Sequence, residues 1–211
     1  MKNIEKIYIV LTLLLSVTLI VSNLSAIKVI EIYGYRLTAG FFSYPFVYVF
    51  CSIIIALRNK YHYVFSILLS YFAYFIFTIL MFISMKLNGI NSQNEIQVAF
   101  ESIFDLNQMR IFVASSLAYL FSFYIFGIIF SKLEHIRIDI RLFVAILISS
   151  TLDVTIFLTI AFLGSLNFDV LVSILILAGI KRIASQIILF FPTLYAIKKL
   201  RGYCDKDISN N

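Results

Sequence analysis

The chain has 211 residues, 62% of them hydrophobic and only 13% charged. A soluble domain carries about 45–50% apolar and roughly 25% charged residues, so composition excludes an ordinary soluble enzyme. It points to a single all-α integral membrane unit spanning residues 1–211. The net charge of +6 would suggest nucleic-acid binding in a soluble protein. Here the basic residues gather at the ends of apolar runs, so the expected partner is the lipid bilayer, with no direct nucleic-acid contact.

Six apolar runs reach the roughly 20 residues that a membrane-spanning helix needs. In chain order they are Ile7–Ile27, Ala39–Leu57, Tyr63–Met85, Ile111–Phe130, Leu142–Gly164 and Val170–Ile197. The first follows basic residues, as a signal peptide would, but it is too long for an ordinary signal core and leads into five further spans. It is expected to be retained. No soluble domain, linker or low-complexity tract is visible.

Orientation follows from the distribution of Lys and Arg. With the N-terminus inside, the cytoplasmic segments hold Lys2, Lys6, Arg58, Lys60, Lys132, Arg137, Arg141, Lys198, Lys199, Arg201 and Lys206. The opposite side holds Lys28, Arg36, Lys86 and Arg110. The positive-inside rule therefore places both termini in the cytoplasm, in a multi-pass protein of the cell inner membrane. The longest loop lies on the outer side. Within it "EIQVAFESIFDL" sets Ile96, Ala99, Phe100, Ile103 and Phe104 at helical spacing, which predicts a short amphipathic helix lying in the interface or capping the bundle.

Three charges fall inside the spans: Asp153, Lys181 and Arg182. Intramembrane charges are candidate functional groups whose partners need naming. Asp153 lies eleven residues from the start of its span, and Lys181 eleven from the start of the next, antiparallel one. At 1.5 Å per residue each is about 16 Å deep, near the middle of a hydrocarbon core about 30 Å thick. The connecting loop is short, so Asp153 should pair with Lys181 or Arg182, directly or through a ligand. Each lone charge costs about 2.5–3.5 kcal/mol on insertion scales, and pairing offsets part of that. Arg182 is too far from either helix end to snorkel, and a water-filled cavity would accommodate it. A buried pair that only fixes helix register is the competing expectation.

Other spans carry polar stripes at helical spacing: Thr12, Ser16 and Asn23; Tyr44, Tyr48 and Ser52, with Pro45 beside them; Ser70, Tyr74 and Thr78; Ser115, Tyr119 and Ser122; Ser149 and Asp153. Small hydroxyls in membrane helices mostly serve packing. Together with a central carboxylate, tyrosines and an Asn, they also suit a pocket for a planar polar molecule. The substrate-binding candidates are Asp153, Lys181, Asn23, Tyr48, Tyr119 and Ser149. No P-loop, HExxH, GxSxG or metal-ligand motif is present, so no catalytic residue, metal or cofactor is expected. His62 and His135 fall in loops as interfacial residues. Cys51 and Cys204 lack a metal-ligand spacing and are expected to be free thiols.

Several segments resemble a known family. "SNLSAIKVIEIYGYRLTAGFFSYPFVY", with Asn23, Lys28, Gly34, Gly40, Pro45 and Tyr48, is similar to the N-terminal signature of the queuosine precursor transporters, also called the vitamin uptake transporter family. "RIFVASSLAYLFS" and "LDVTIFLTIAFLG" resemble its fourth and fifth helices, and Lys181, Pro192 and Tyr195 its sixth. The resemblance implies a six-helix importer of 7-deazaguanine bases, precursors for tRNA modification, moving by rocking or gating of helices. It implies Asp153 as acceptor for the paired N–H groups of a guanine-like edge, Lys181 as its partner or as donor to the exocyclic carbonyl, and Asn23 as reader of remaining polar edges. The chain departs from the family pattern at Ser52, Ala56, Phe123, Phe126 and Ser150, where the family typically carries acidic or amide side chains. A neutral or altered ligand, or loss of high-affinity recognition of the usual precursors, is expected in consequence, and Arg182 has no counterpart in the pattern. A substrate-binding subunit energised by separate proteins, or a non-transporting membrane interaction protein, would share these features. A homodimer is among the assemblies such a unit can form.

Overall fold

The computed structural model describes residues 3–26, 28–32, 35–87, 98, 106–164 and 167–209. Six helices are long and apolar enough to cross a membrane: α1 (Asn3–Ser25), α2 (Gly40–Leu57), α3 (Lys60–Lys86), α4 (Leu106–Lys132), α5 (Ile138–Phe162) and α6 (Phe168–Ser209). Between α1 and α2 lies a small antiparallel hairpin, β1 (Val29–Ile32) and β2 (Tyr35–Thr38), with Val29 opposite Thr38 and Ile32 opposite Tyr35. The interfacial helix expected around Ile96–Phe104 lies outside the described residues.

Each predicted span corresponds to one helix, and most helices continue past the apolar run. Helix α6 continues through Gly179, Pro192 and Gly202. The longest extension is in α6, which continues beyond Ile197 through Lys198, Lys199 and Arg201. Stops are local. The Leu163 N–H bonds back to the Thr159 carbonyl at 2.9 Å, and Gly164 then takes φ +81°, a left-handed turn open to glycine. At the start of α3, the Asn59 side chain accepts from the His62 N–H at 3.1 Å.

The termini of α1 and α6 lie on the same side of the bundle, where Asn3 donates to the Tyr203 hydroxyl at 3.5 Å. We call this the terminal side and the other the hairpin side. Helix α2 is central: it contacts α1, α3, α5 and α6, and 56% of its apolar stretch is buried, against 6% for α6. The outer faces of α1, α3 and α6 present Leu13, Val17, Phe72, Leu80, Ile180 and Ile188 outward, as lipid-facing surfaces do.

Small residues and hydroxyls set the helix contacts. A Cβ on Gly40 would sit 2.5 Å from the Ser22 carbonyl oxygen, so α1 and α2 approach there as only glycine permits. Thr12 bonds Ser66 at 2.9 Å, and Ser16 donates to Ser70 at 3.1 Å, fastening α1 to α3. Both hydroxyls also bond their own helix, as expected of packing residues. Arginines fasten the ends. Arg201 donates to the Ala56 carbonyl at 2.9 Å, and Arg141 donates twice to the Phe130 carbonyl. Arg110 donates to the carbonyls of Ile160 and Leu163 at the C-terminus of α5. Carbonyls at helix ends lack intrahelical partners, and these guanidinium groups supply them.

Candidate binding site

The site is built by α2, α4, α5 and α6 around Asp153, which is 2% exposed and the one buried acid among the described residues. Its Oδ2 accepts from Arg182 Nη1 in a direct ion pair. Its Oδ1 accepts from the Tyr44 hydroxyl at 2.9 Å and from Ser122 Oγ at 3.3 Å. A carboxylate has about four acceptor positions, so three donors nearly complete it. The Arg182 guanidinium carbon lies 4.2 Å from the centre of the Tyr44 ring. Tyr44 therefore serves both charges: its hydroxyl holds the anion and its π face the cation.

This arrangement answers the question of Asp153's partner. Successive residues on a helix point about 100° apart, so only one of Lys181 and Arg182 can address α5 squarely, and it is Arg182. Lys181, beside it, is half-buried. The guanidinium is the better suited of the two, because its planar fork bonds a carboxylate while its face covers an aromatic ring.

The pair sits off-centre, toward the hairpin side. Helix α5 begins at Ile138 rather than Leu142, so Asp153 lies about 22 Å along the helix from the terminal side and about 14 Å from the other end. Tyr44 is one turn into α2, which starts at Gly40. On the terminal side of the pair the bundle is filled with rings. Tyr48 packs on Phe123 at 4.5 Å between centroids, and Phe126 packs on Tyr63 at 5.7 Å and on Phe130 at 6.5 Å. The Tyr63 hydroxyl donates to the Phe123 carbonyl at 2.8 Å, and Arg141 covers the Phe130 ring at 3.9 Å. Two cavities lie elsewhere. One of about 250 Å³ is bordered by Tyr63, Ile67, Leu120 and Phe123. The other, about 620 Å³, lies between the ends of α1 and α6, bordered by Ile7, Lys198, Lys199 and Tyr203. Arg182 makes direct contacts with Asp153 and Tyr44.

The remaining candidates divide. Tyr48 is fully buried one turn from Tyr44, and its hydroxyl lies near Ser149 and Ser122 with no partner within 3.5 Å. Ser149, one turn from Asp153, is buried and donates to the Ala145 carbonyl at 2.6 Å. Tyr119 lies on the far face of Phe123's ring cluster, with Ser70 and Cys51 for neighbours. Asn23 donates to the Leu19 carbonyl at 2.9 Å and accepts from Ser115, joining α1 to α4. It is not hydrogen-bonded to the Asp153 group. Sequence reasoning names Arg182 only as one of two possible partners of Asp153, and leaves Tyr44 and Ser122 out of the binding candidates. Tyr44 and Ser122 were visible only as members of polar stripes, and helical spacing does not say which member of a stripe meets a charge on another helix.

Residues 38–197 match the family described as "Putative vitamin uptake transporter". No curated protein and no solved structure matches the chain.

Proposed function

The chain belongs to the vitamin uptake transporter family, and from that premise we propose that it imports a neutral, planar heterocyclic base through the Asp153–Arg182 site. The chemical class is that of the 7-deazaguanines, the queuosine precursors. The observation that carries this reading is the buried pair itself, with a carboxylate and a guanidinium side by side beside the Tyr48 ring.

A guanine-like edge presents a carbonyl oxygen next to two N–H donors. Inserted between the two side chains, it gives its donors to Asp153 and its carbonyl to Arg182. Each charge exchanges one partner for another, and neither is left unpaired in hydrocarbon, where isolation costs about 2.5–3.5 kcal/mol. Tyr44 and Ser122 hold the carboxylate through the exchange, while Tyr48 offers a ring for stacking. Lys181 is assigned as a second donor to the ligand's acceptor edge, and Ser149 as a polar contact one turn away.

The pair has no net charge, and Asp153 is the one buried acid among the described residues. Ser52, Phe123 and Phe126, where the family resemblance implies polar side chains, are fully buried, so a cationic aminomethyl base gains no additional carboxylate from them. The cyano base or another neutral relative is therefore the preferred ligand. The proposed orientation has the terminal side in the cytoplasm of a cell with an inner membrane, and the hairpin side facing outward.

Complementation tests this. A bacterium lacking both precursor synthesis and its own importer is given the chain and each base in turn, and queuosine is measured in tRNA. The expected result is restoration by the neutral base. No restoration by the cyano base, the aminomethyl base or queuine would overturn the assignment of substrate class.

A further inference from the structure

Apart from the charged pair, the interior holds a second group of polar atoms. The hydroxyls of Tyr48, Ser52 and Tyr119 are buried, at 0%, 0% and 1% exposure, and none has a hydrogen-bond partner within 3.5 Å, although Ser149 and Ser122 lie near Tyr48 and Ser70 lies near Tyr119. Buried hydroxyls without a partner cost roughly 1–3 kcal/mol each, and most buried polar groups in proteins avoid that cost. Three of them, two packed on one ring and the third a turn away, need an explanation.

They are close together. Tyr48 and Ser52 are one turn apart on the same face of α2, on the terminal side of Tyr44. Tyr48 and Tyr119 pack against the Phe123 ring, at 4.5 and 4.8 Å between centroids. Tyr119 also neighbours Cys51, the residue preceding Ser52. Hydroxyls both donate and accept, and they carry no charge. A planar molecule that displaced the Tyr48 or Tyr119 ring from Phe123 would meet hydroxyl donors and acceptors at its rim and a π face beneath it. Tyr44, Tyr48 and Ser52 follow one another at four-residue intervals, about 6 Å apart along the helix axis, which leads from the charged pair toward the terminal side.

We propose that Tyr48, Ser52 and Tyr119, with the Phe123 ring, form a second, uncharged binding position that the transported base occupies after leaving Asp153 and Arg182. The inference rests on the transporter reading above and adds to it a path. The base is first recognised by charge, then handed one to two turns deeper to hydroxyls that hold it less tightly. A weaker second position would shorten the time the base spends at its tightest site, alongside the rocking of helices around that site. The Phe123–Phe126–Phe130 rings must part beyond this position for the base to leave.

Two measurements on the full-length protein test the proposal. The first is uptake of the cyano 7-deazaguanine base into proteoliposomes by the Ser52→Ala/Tyr119→Phe double variant, which removes two hydroxyls and keeps both rings of the cluster. The maximal rate should fall at least tenfold, while the concentration giving half-maximal uptake changes less than threefold. An unchanged rate, or a loss confined to half-saturation, would overturn the second position. The other measurement needs no substrate. In a Cys204→Ser background Cys51 is the sole thiol, and it should be alkylated by a small polar maleimide in folded protein, more slowly in the presence of any base that is transported. A Cys51 that reacts only after unfolding would overturn the path. Alkylation of Cys51 without uptake of any 7-deazaguanine would instead locate the failure in the substrate assignment.

Discussion

Asp153 of α5 is paired with Arg182 of α6, one residue after the lysine that the family resemblance favours, and Tyr44 of α2 binds both members of the pair. Three helices are thus tied at one buried point. Any molecule that separates the two charges will be felt by all three, which links binding at this point to movement of the bundle.

Replacing Asp153 by Asn should abolish uptake while the protein still reaches the membrane. It should also destabilise the protein, because Arg182 is left buried without its counter-ion, a loss of about 3–5 kcal/mol when one partner of a buried pair is removed. The Asp153→Asn/Arg182→Gln double variant should recover most of that stability and none of the transport. Thermal unfolding in detergent alongside uptake measures both. Normal uptake by either variant would remove Asp153 from the site.

Lys181 and Arg182 can be separated in the same way. Arg182→Gln should lower thermal stability markedly and by more than Lys181→Gln, which should weaken half-saturation for the base. Equal losses of stability from the two changes would show that the pairing is not specific to Arg182.

Tyr44→Phe keeps the ring against Arg182 and removes the hydroxyl from Asp153. Hydrogen bonds to charged groups contribute about 1.5–3 kcal/mol, so half-saturation should rise roughly tenfold or more if the hydroxyl helps to hold the carboxylate in place. Binding calorimetry with the neutral base provides the measurement.

Two glycines test the packing apart from the site. Gly40→Ala would place a methyl 2.5 Å from the Ser22 carbonyl oxygen, and backbone cannot step aside. Gly127→Ala would place one 2.7 Å from Cε1 of the buried Tyr63 ring. Overpacking costs about 1–3 kcal/mol. Both variants should unfold at lower temperature, with Gly40→Ala the worse because it forces α1 from α2.

Competition should reveal the charge preference. Excess neutral base should suppress uptake of labelled neutral base at much lower concentration than the aminomethyl base does. Stronger competition by the aminomethyl base would point to an acidic contact not seen around Asp153.

Much of this architecture is written in the sequence. Apolar runs such as Leu142–Gly164 determine spanning helices, because lipid offers backbone N–H and C=O groups no alternative partner. The same physics singled out Asp153, Lys181 and Arg182, since charges in such runs are costly enough to require a reason. Sequence could not choose between Lys181 and Arg182. That choice depends on the rotation of α6 about its axis, which packing against α2 and α5 fixes. Nor could it show that Tyr44 leads its stripe to Asp153 while Asn23 turns to Ser115, or that the Tyr48, Ser52 and Tyr119 hydroxyls come together unpartnered. The chemistry of each helix is local and legible along the chain; which faces meet is decided only when six helices share one interior.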